Sequence, residues 1–171
     1  MHDRIINAAQ EVIIREGVNG TTARKIAAQA GISPGTLTWH FKAVDEVLEA
    51  AFIRLADEVS VSFRQRLQAA ADRQQAIEAV VDLICGEIVA APRNMLLSFE
   101  LYAFASRNAR IREISRAWMA RSRDSLALHF DIRMAIAIDA LIEGFTVHQH
   151  LSDRSLNRDE LRELLCRITA C

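Results

Sequence analysis

Apolar residues return every three or four positions along almost the whole chain, the period of helices with one buried face. Ile5, Ala8, Ala9, Val12 and Ile13 predict a first helix over roughly Asp3 to Glu16, ended by Gly17. Ile26, Ala27 and Ala30 mark a short second helix behind Thr22, a good N-cap, and Gly31 breaks it as a left-handed glycine does. Ser33 caps a third helix and Pro34 takes its first position; it runs through Gly35 to Phe41, with Pro34, Leu37 and Phe41 on its core side. Asp45 and Glu46 suit the positive end of a long fourth helix. Its stripe of Val47, Leu48, Ala51, Phe52, Leu55, Val59, Ser62 and Phe63 continues to about Ala70, with no Pro- or Gly-rich linker.

Asp72 and Gln75, spaced as a capping box, open a fifth helix with Ile77, Val80, Val81, Ile84 and Ile88 inward. Gly86 is expected inside it and Pro92 at its end. The sixth, Asn94 to about Ser106, is apolar almost all round and reads as interior. The seventh, Ala109 to Phe130, turns Ile111, Ile114, Trp118, Ser122, Ser125 and His129 inward. The eighth, Arg133 to His150, has two apolar faces. One holds Met134, Ile138, Leu141, Ile142 and Phe145; the other holds Ile136, Ala140, Gly144, Val147 and Leu151. The ninth starts at Asn157, with Glu160 as box partner, and carries Leu161, Leu164, Leu165 and Ile168. One protomer does not easily cover all these faces. The second face of the eighth helix and the four ninth-helix residues are therefore expected to pair with a second copy, forming a four-helix bundle in a homodimer. The predicted fold is all-α, with about nine helices. A helix-turn-helix domain over 1–46 is joined by a long helix to a helical regulatory and dimerisation domain over 47–171.

Charge sharpens one segment. The 171 residues carry a net charge of −1, so affinity for a polyanion must be local rather than bulk. From Gly17 to Val44 there is no Asp or Glu, while Arg24, Lys25 and Lys42 lie inside that window. An acid-free segment with cations at a helix start suits a phosphate backbone. On the third helix Gly35, Thr36, Trp39 and His40 fall opposite the core side, and an outward Trp among small polar residues suits a helix that meets a partner.

Catalytic patterns are missing from the sequence. It has no Glu-x-x-His pair, Gly-rich phosphate loop or G-x-S-x-G, and His148 and His150 are two apart, pointing away from each other on a helix. Cys85, Cys166 and Cys171 are odd in number, widely spaced and without C-x-x-C, which argues against a disulfide framework or a zinc site. A redox switch through Cys166 or Cys171 is a minor alternative. The expectation is a non-enzyme with no metal and no cofactor. No apolar run is long enough for a membrane span and no signal-peptide pattern is present, so a cytoplasmic protein with no membrane partner is expected.

Residues 4–48 resemble the DNA-binding region of the TetR (tetracycline-repressor-like) family of transcriptional regulators. The resemblance is carried by RIINAAQEVIIREG, TTARKIAAQAGIS, PGTLTWHF and DEVLEAAF; further on, LIEGFTVHQHL is similar to the family's penultimate helix. The resemblance implies that the third helix enters the DNA major groove, with Gly35, Thr36 and Trp39 towards base edges. It implies that Thr22, Arg24, Thr38, His40 and Lys42 hold phosphates; Lys25 and Ser33 complete the candidate DNA-binding set. Two positions depart from the family. Thr38 stands where Tyr is usual, with an aromatic one place later at Trp39, and Val44 stands where Lys is often found. Both changes remove phosphate contacts, and Lys42 partly replaces the second.

The implied function is a dimeric regulator, a repressor released from a palindromic double-stranded operator by a small, largely apolar effector. The expected ligand cavity comprises Ile84, Met95, Phe99, Tyr102, Trp118, Ser122, Phe145 and His148. The competing reading is an all-helical dimer that binds a small molecule or a protein and does not use its helix-turn-helix for specific DNA binding.

Overall fold

The computed structural model describes residues 1–86, 91–153 and 156–170. Among the described residues there are nine helices and no strand: α1 (His2–Gly20), α2 (Ala23–Ala30), α3 (Pro34–His40), α4 (Val44–Ala69), α5 (Arg73–Cys85), α6 (Pro92–Ala105), α7 (Ala109–Leu126), α8 (Ile132–Leu151) and α9 (Arg158–Thr169). The all-α architecture expected from the apolar period is the one found. Ile88 and Cys171 lie outside the described residues.

The chain divides into two compact units. Unit one is Met1–Ala56 with Leu96–Arg116; unit two is Asp57–Met95 with Ala117–Cys171. In unit one, Ile5, Ala9, Val12 and Ile13 of α1 are buried, as are Ile26 of α2, Leu37 of α3, and Val47, Ala51, Phe52 and Leu55 of α4. Buried Gln10 donates from Nε2 to the Ala51 carbonyl at 2.9 Å. In unit two the core takes Val59, Phe63 and Leu67 from α4, Ile77, Val81 and Ile84 from α5, and Ile138 and Ile142 from α8. Residues 60 and 67 of α4 are buried while Ser62 is only half-buried, so the stripe winds slightly differently from the expected one.

The expected caps are present. Thr22 Oγ1 accepts from Lys25 N at 3.4 Å, and Ser33 Oγ from Thr36 N at 3.1 Å. Asp72 Oδ1 accepts from Gln75 N at 2.8 Å, and Asn157 with Glu160 forms a full capping box. Glu46 Oε2 accepts from Lys42 N at 2.8 Å and compensates for Ala43, which has no capping side chain.

Several helix ends differ from expectation. Phe41 is the extended C-cap of α3 rather than part of it, with its N–H returning to Leu37 O at 2.9 Å. Gly86 is the extended residue that ends α5, not a mid-helix glycine. Pro92 does not stop α5; it begins α6, where a missing N–H is harmless. α7 stops at Leu126, and Ala127 to Phe130 form turns. α6 is not interior all round. Leu97, Leu101 and Ala105 form one buried stripe, while Phe99, Tyr102 and Phe104 are half-buried and Leu96 is exposed.

α1 ends in an unexpected way. The chain leaves helical geometry at Gly17 (φ 70°, ψ 170°) and then makes one more turn to Gly20. That turn buries Val18, whose N–H donates to Glu100 Oε2 at 2.7 Å. A residue other than glycine is strained at such dihedrals, and a Cβ on Gly17 would sit 3.2 Å from Glu100 Oε1. Gly17→Ala is therefore expected to destabilise the protein by about 1–3 kcal/mol. The check is thermal unfolding followed by circular dichroism, with a Tm several degrees below wild type expected; an unchanged Tm would contradict the strained geometry.

Candidate functional site

The α2–α3 pair is held by its turn. Gly31 is left-handed (φ 60°, ψ 42°), and the N–H groups of Gly31 and Ile32 return to Ala28 O at 3.1 Å and Ala27 O at 3.0 Å. Ile32 is half-buried in the turn. Leu37 and Phe41 are buried, as expected, but Pro34 is exposed. This pins α3 by one face. The other face is open: Gly35 and Thr38 are exposed, Thr36 and His40 are half-buried, and Trp39 is 81% exposed. Trp39 meets His40 edge to face, with ring centroids 4.6 Å apart, and His2 stacks on Phe41 at 4.6 Å.

The cations around this face differ in availability. Arg24 and Lys42 are exposed. Lys25 is not free for a phosphate: its ammonium is tied back to Glu16 and to Gly20 O at 2.9 Å. That same hydrogen bond is the main influence holding the Glu16 carboxyl below the usual range, with Arg15 adding to it against a desolvation that pulls the other way. Lys25 thus fastens α2 to α1. The hydroxyls differ too. Thr22 accepts a backbone N–H and keeps its own proton for an outside acceptor. Ser33 and Thr36 share a hydrogen bond at 2.9 Å. Thr38 donates back to Pro34 O at 3.0 Å and Gly35 O at 3.1 Å, so its proton is already used within α3.

Unit two contains a cavity lined by Val59, Ser60 and Phe63 of α4, Leu83 of α5, Trp118, Met119 and Ser122 of α7, and Asp139, Ile142, Glu143 and Thr146 of α8. Its free volume is about 30 Å³, room for water but not for a drug-sized molecule as it stands. Of the eight expected ligand residues, Trp118 and Ser122 line it. Ile84 and Met95 are buried elsewhere in the core. Phe99 and Tyr102 belong to unit one. Phe145 and His148 instead line an open groove on α8 with Ala140, Leu141 and Gly144. The polar members Ser60, Asp139, Glu143 and Thr146 were not among the expected residues. Asp139, Glu143 and Thr146 recur at helical spacing, a signal hidden beside the longer apolar faces of α8.

Among the described residues, nothing covers the outer side of α8. Ile136 is 45% and Leu151 69% exposed; Ala140 and Gly144 are exposed, and a Cβ on Gly144 would meet nothing within 4 Å. Val147 and Leu164 are half-buried and Ile168 is exposed. Leu161 and Leu165 do not share this face. Both are buried in the protomer, because α9 packs that side on α5, where Arg162 Nη2 also reaches Glu78 Oε2 at 3.1 Å. Among the described residues no group of three His, Cys, Asp or Glu is placed to hold a metal ion, and no helix is long and apolar enough to cross a membrane. Cys85 and Cys166 are not joined in a disulfide, and burial pushes the Cys85 thiol up from its ordinary range.

Known proteins share this arrangement. Residues 5–51 match the family of bacterial regulatory proteins of the tetR type. SCO7518 from Streptomyces coelicolor A3(2), assigned as a transcriptional regulator, has a crystal structure similar over 99% of this chain and 98% of its own, with 39% identity and a TM-score of 0.90. EbrR, a multidrug binding protein crystallised with imidazole, is similar over 98% of this chain and 94% of its own, with 25% identity and a TM-score of 0.78. HdnoR of Paenarthrobacter nicotinovorans, a nicotine-responsive transcriptional repressor, is 30% identical over 113 residues, which are 66% of this chain and 58% of HdnoR. The aligned part therefore spans little more than half of that curated relative. With the helix-turn-helix at residues 22–41 and near full-length similarity to SCO7518, the chain belongs to the TetR family of bacterial regulatory proteins.

Proposed function

We propose that this protein is a dimeric, DNA-binding repressor released from a palindromic operator by a small, largely apolar ligand. The observation that carries the reading is the open face of α3: an exposed Trp39 beside Gly35 and Thr36, on a helix pinned by Leu37 and Phe41, in a segment without acids. A core-facing helix would bury Trp39, and a merely solvated one would not need it. Gly35, Thr36 and Trp39 read base edges in the major groove. Thr22, Ser33, Arg24, His40 and Lys42 hold the phosphates. Thr38 reaches a phosphate only by giving up its bond to the backbone. Lys25 keeps α2 in place and contributes little direct contact.

The uncovered side of α8, with Ile136, Ala140, Gly144, Val147 and Leu151, and Ile168 of α9 form the surface on which a second copy docks. The small residues in its middle let two copies of α8 approach closely. A two-fold pair presents two α3 helices to two half-sites. The ligand enters the unit-two cavity, and α4, which gives buried residues to both units, is the element it biases. Two relatives lend support: HdnoR responds to nicotine and EbrR binds several drugs. A ligand acts only by binding one of two states more tightly.

Fluorescence anisotropy with labelled DNA from upstream of the protein's own gene, over a salt series, tests the DNA reading. Tight binding that prefers this DNA and falls steeply with salt is expected. Trp39→Ala should weaken it by roughly ten- to a hundredfold, the cost of a lost base contact. Gly35→Ala should leave Tm equal or higher, since that position is helical and its Cβ would be in ordinary contact 3.7 Å from Ser33 Oγ, yet still weaken binding. Arg24→Ala should reduce the salt slope by about 1, whereas Lys25→Ala should mainly lower Tm. Equal affinity for scrambled DNA would overturn the specific-regulator reading.

Sedimentation equilibrium tests the dimer. The wild type is expected to be a dimer and the double variant Ile136→Glu, Leu151→Glu a monomer of unchanged helical content, because both side chains are exposed in the protomer. A variant that remained dimeric would move the interface elsewhere.

A further inference from the structure

The extra turn that closes α1 is held from outside its own helix. At Gly17 the chain leaves helical geometry (φ 70°, ψ 170°), so the turn that follows starts afresh and its first N–H needs a new acceptor. Glu100, on α6, supplies it: Oε2 accepts from Val18 N at 2.7 Å. The carboxylate lies over the bare Cα of Gly17, since a Cβ built there would meet Oε1 at 3.2 Å and Oε2 at 3.4 Å. Val18 is 6% exposed, and an N–H left unmatched at such a place is costly. A bond to a carboxylate is roughly twice as strong as one to a neutral acceptor. Glu100 and the turn both belong to unit one.

That turn is also the seat of α2. Thr21 Oγ1 donates to Gly17 O at 2.8 Å, and Thr21 N to Val18 O at 3.1 Å. Lys25 Nζ donates to Gly20 O at 2.9 Å while pairing with Glu16. Thr22, the next residue along, caps α2. Left-handed Gly31 and the N–H groups of Gly31 and Ile32 then tie α3 to α2. A run of hydrogen bonds thus leads from Glu100 through residues 17–20 to the start of α2, and the tight turn carries that placement on to α3.

We propose that Glu100 is a positioning residue for DNA recognition. By capping Val18 it fixes the turn at 17–20, and through Thr21 and Lys25 it sets the orientation in which α2 and α3 meet the groove. This role rests on the reading of α3 given under Proposed function. Two simpler roles predict different behaviour. A carboxylate that only stabilised the fold would raise Tm and leave the DNA affinity of folded protein unchanged. One that acted by charge alone would repel phosphates, and removing it would tighten binding to any DNA. Positioning has the opposite sign: loss of the bond weakens the preferred DNA and leaves the phosphate-driven, non-specific part nearly as it was.

Three full-length variants separate these roles. Glu100→Gln keeps the reach and an acceptor oxygen but loses the charge. Glu100→Asp keeps the charge but is one methylene shorter. Glu100→Ala loses both. The main readout is anisotropy with labelled upstream DNA and with a scrambled duplex, at a temperature where circular dichroism shows each variant fully folded. Glu100→Asp and Glu100→Ala are expected to bind upstream DNA about tenfold more weakly, the lower end of what a hydrogen bond to a charged group is worth, with scrambled-duplex affinity and salt slope unchanged. Glu100→Gln should stay within about threefold of wild type, because the bond to Val18 is kept. Hydrogen–deuterium exchange without DNA is the second readout. Exchange across residues 17–25 should quicken in Glu100→Asp and Glu100→Ala and stay near wild type in Glu100→Gln. If Glu100→Ala does not fold, Glu100→Asp against Glu100→Gln carries both comparisons. Wild-type affinity in Glu100→Asp and Glu100→Ala, tighter binding in all three variants, a Glu100→Gln as weak as Glu100→Asp, or unchanged exchange over 17–25 overturns the proposal. The two levels stay distinct. A wild type that prefers upstream DNA while the variants match it removes the role of Glu100 alone; a wild type with no preference removes the reading of α3 and this role with it.

Discussion

Everything in this protein depends on one stripe of α4 being buried along most of its length. Val47, Ala51, Phe52 and Leu55 belong to the core of unit one, and Val59, Phe63 and Leu67 to that of unit two. Each of these Val, Phe and Leu side chains is worth about 1.5–3 kcal/mol of burial, so both cores draw much of their stability from this helix. The helix contains neither glycine nor proline, and its buried positions repeat without interruption. Tertiary burial stabilises it far more than local propensity does, as is usual for helices in water. A helix held by two cores at once has few conformations open to it. That restriction makes it a suitable carrier of a switch, because packed interiors move between discrete arrangements instead of deforming smoothly.

The reading face depends on a smaller constraint of the same kind. α3 has only seven residues and would not persist alone. Its position comes from Ser33 and Pro34 at one end, left-handed Gly31 before them, and two buried anchors, Leu37 and Phe41. What remains outside is therefore decided by what must go inside. The acid-free stretch from Gly17 to Val44 then sets the field around it. Glu16, just before that stretch, is neutralised by Lys25, and Glu46, just after it, accepts from Lys42 N at 2.8 Å. The pairing costs the surface a cation but also removes an anion that would have repelled phosphate.

Much of this was legible in the sequence, and the misreadings have physical causes. The nine helices, the caps at Thr22, Ser33, Asp72 and Asn157, and left-handed Gly31 all follow from local chemistry, which the chain carries in order. Helix ends were less legible. Gly86 and Pro92 are each compatible with two positions, and the choice between helix interior and helix end is made by packing. Gly17 was recognised as a break, but the extra turn that buries Val18 requires Glu100, eighty-two residues further on. The fate of Lys25 has a similar origin: a wheel shows which way a side chain faces, not which acid it meets. Leu161 and Leu165 read as outward from helical spacing, which does not reveal that α9 lies on α5. The cavity was the least legible part. Its polar residues are one each on α4 and α7 and three on α8, interleaved with apolar positions, and aromatic residues at helical spacing describe a core as well as a pocket. Phe145 and His148 look inward by composition, yet the turn of α8 places them in its outer groove.

α8 brings the separate lines together. Asp139, Glu143 and Thr146 face the cavity, while Ile136, Ala140 and Gly144 look out on the uncovered side. The two sets interleave within three turns of one helix. One helix carries both sets, so a displacement on its inner face is felt on its outer one. A molecule seated in the cavity would therefore touch the same element that carries the uncovered face. The small residues at Ala140 and Gly144 leave room there for close approach of another backbone. Arg123 holds Asp139 at 2.8 Å and fixes the resting position of the helix on its inner side. On the reading proposed above, ligand and second copy would therefore be coupled through the geometry of α8.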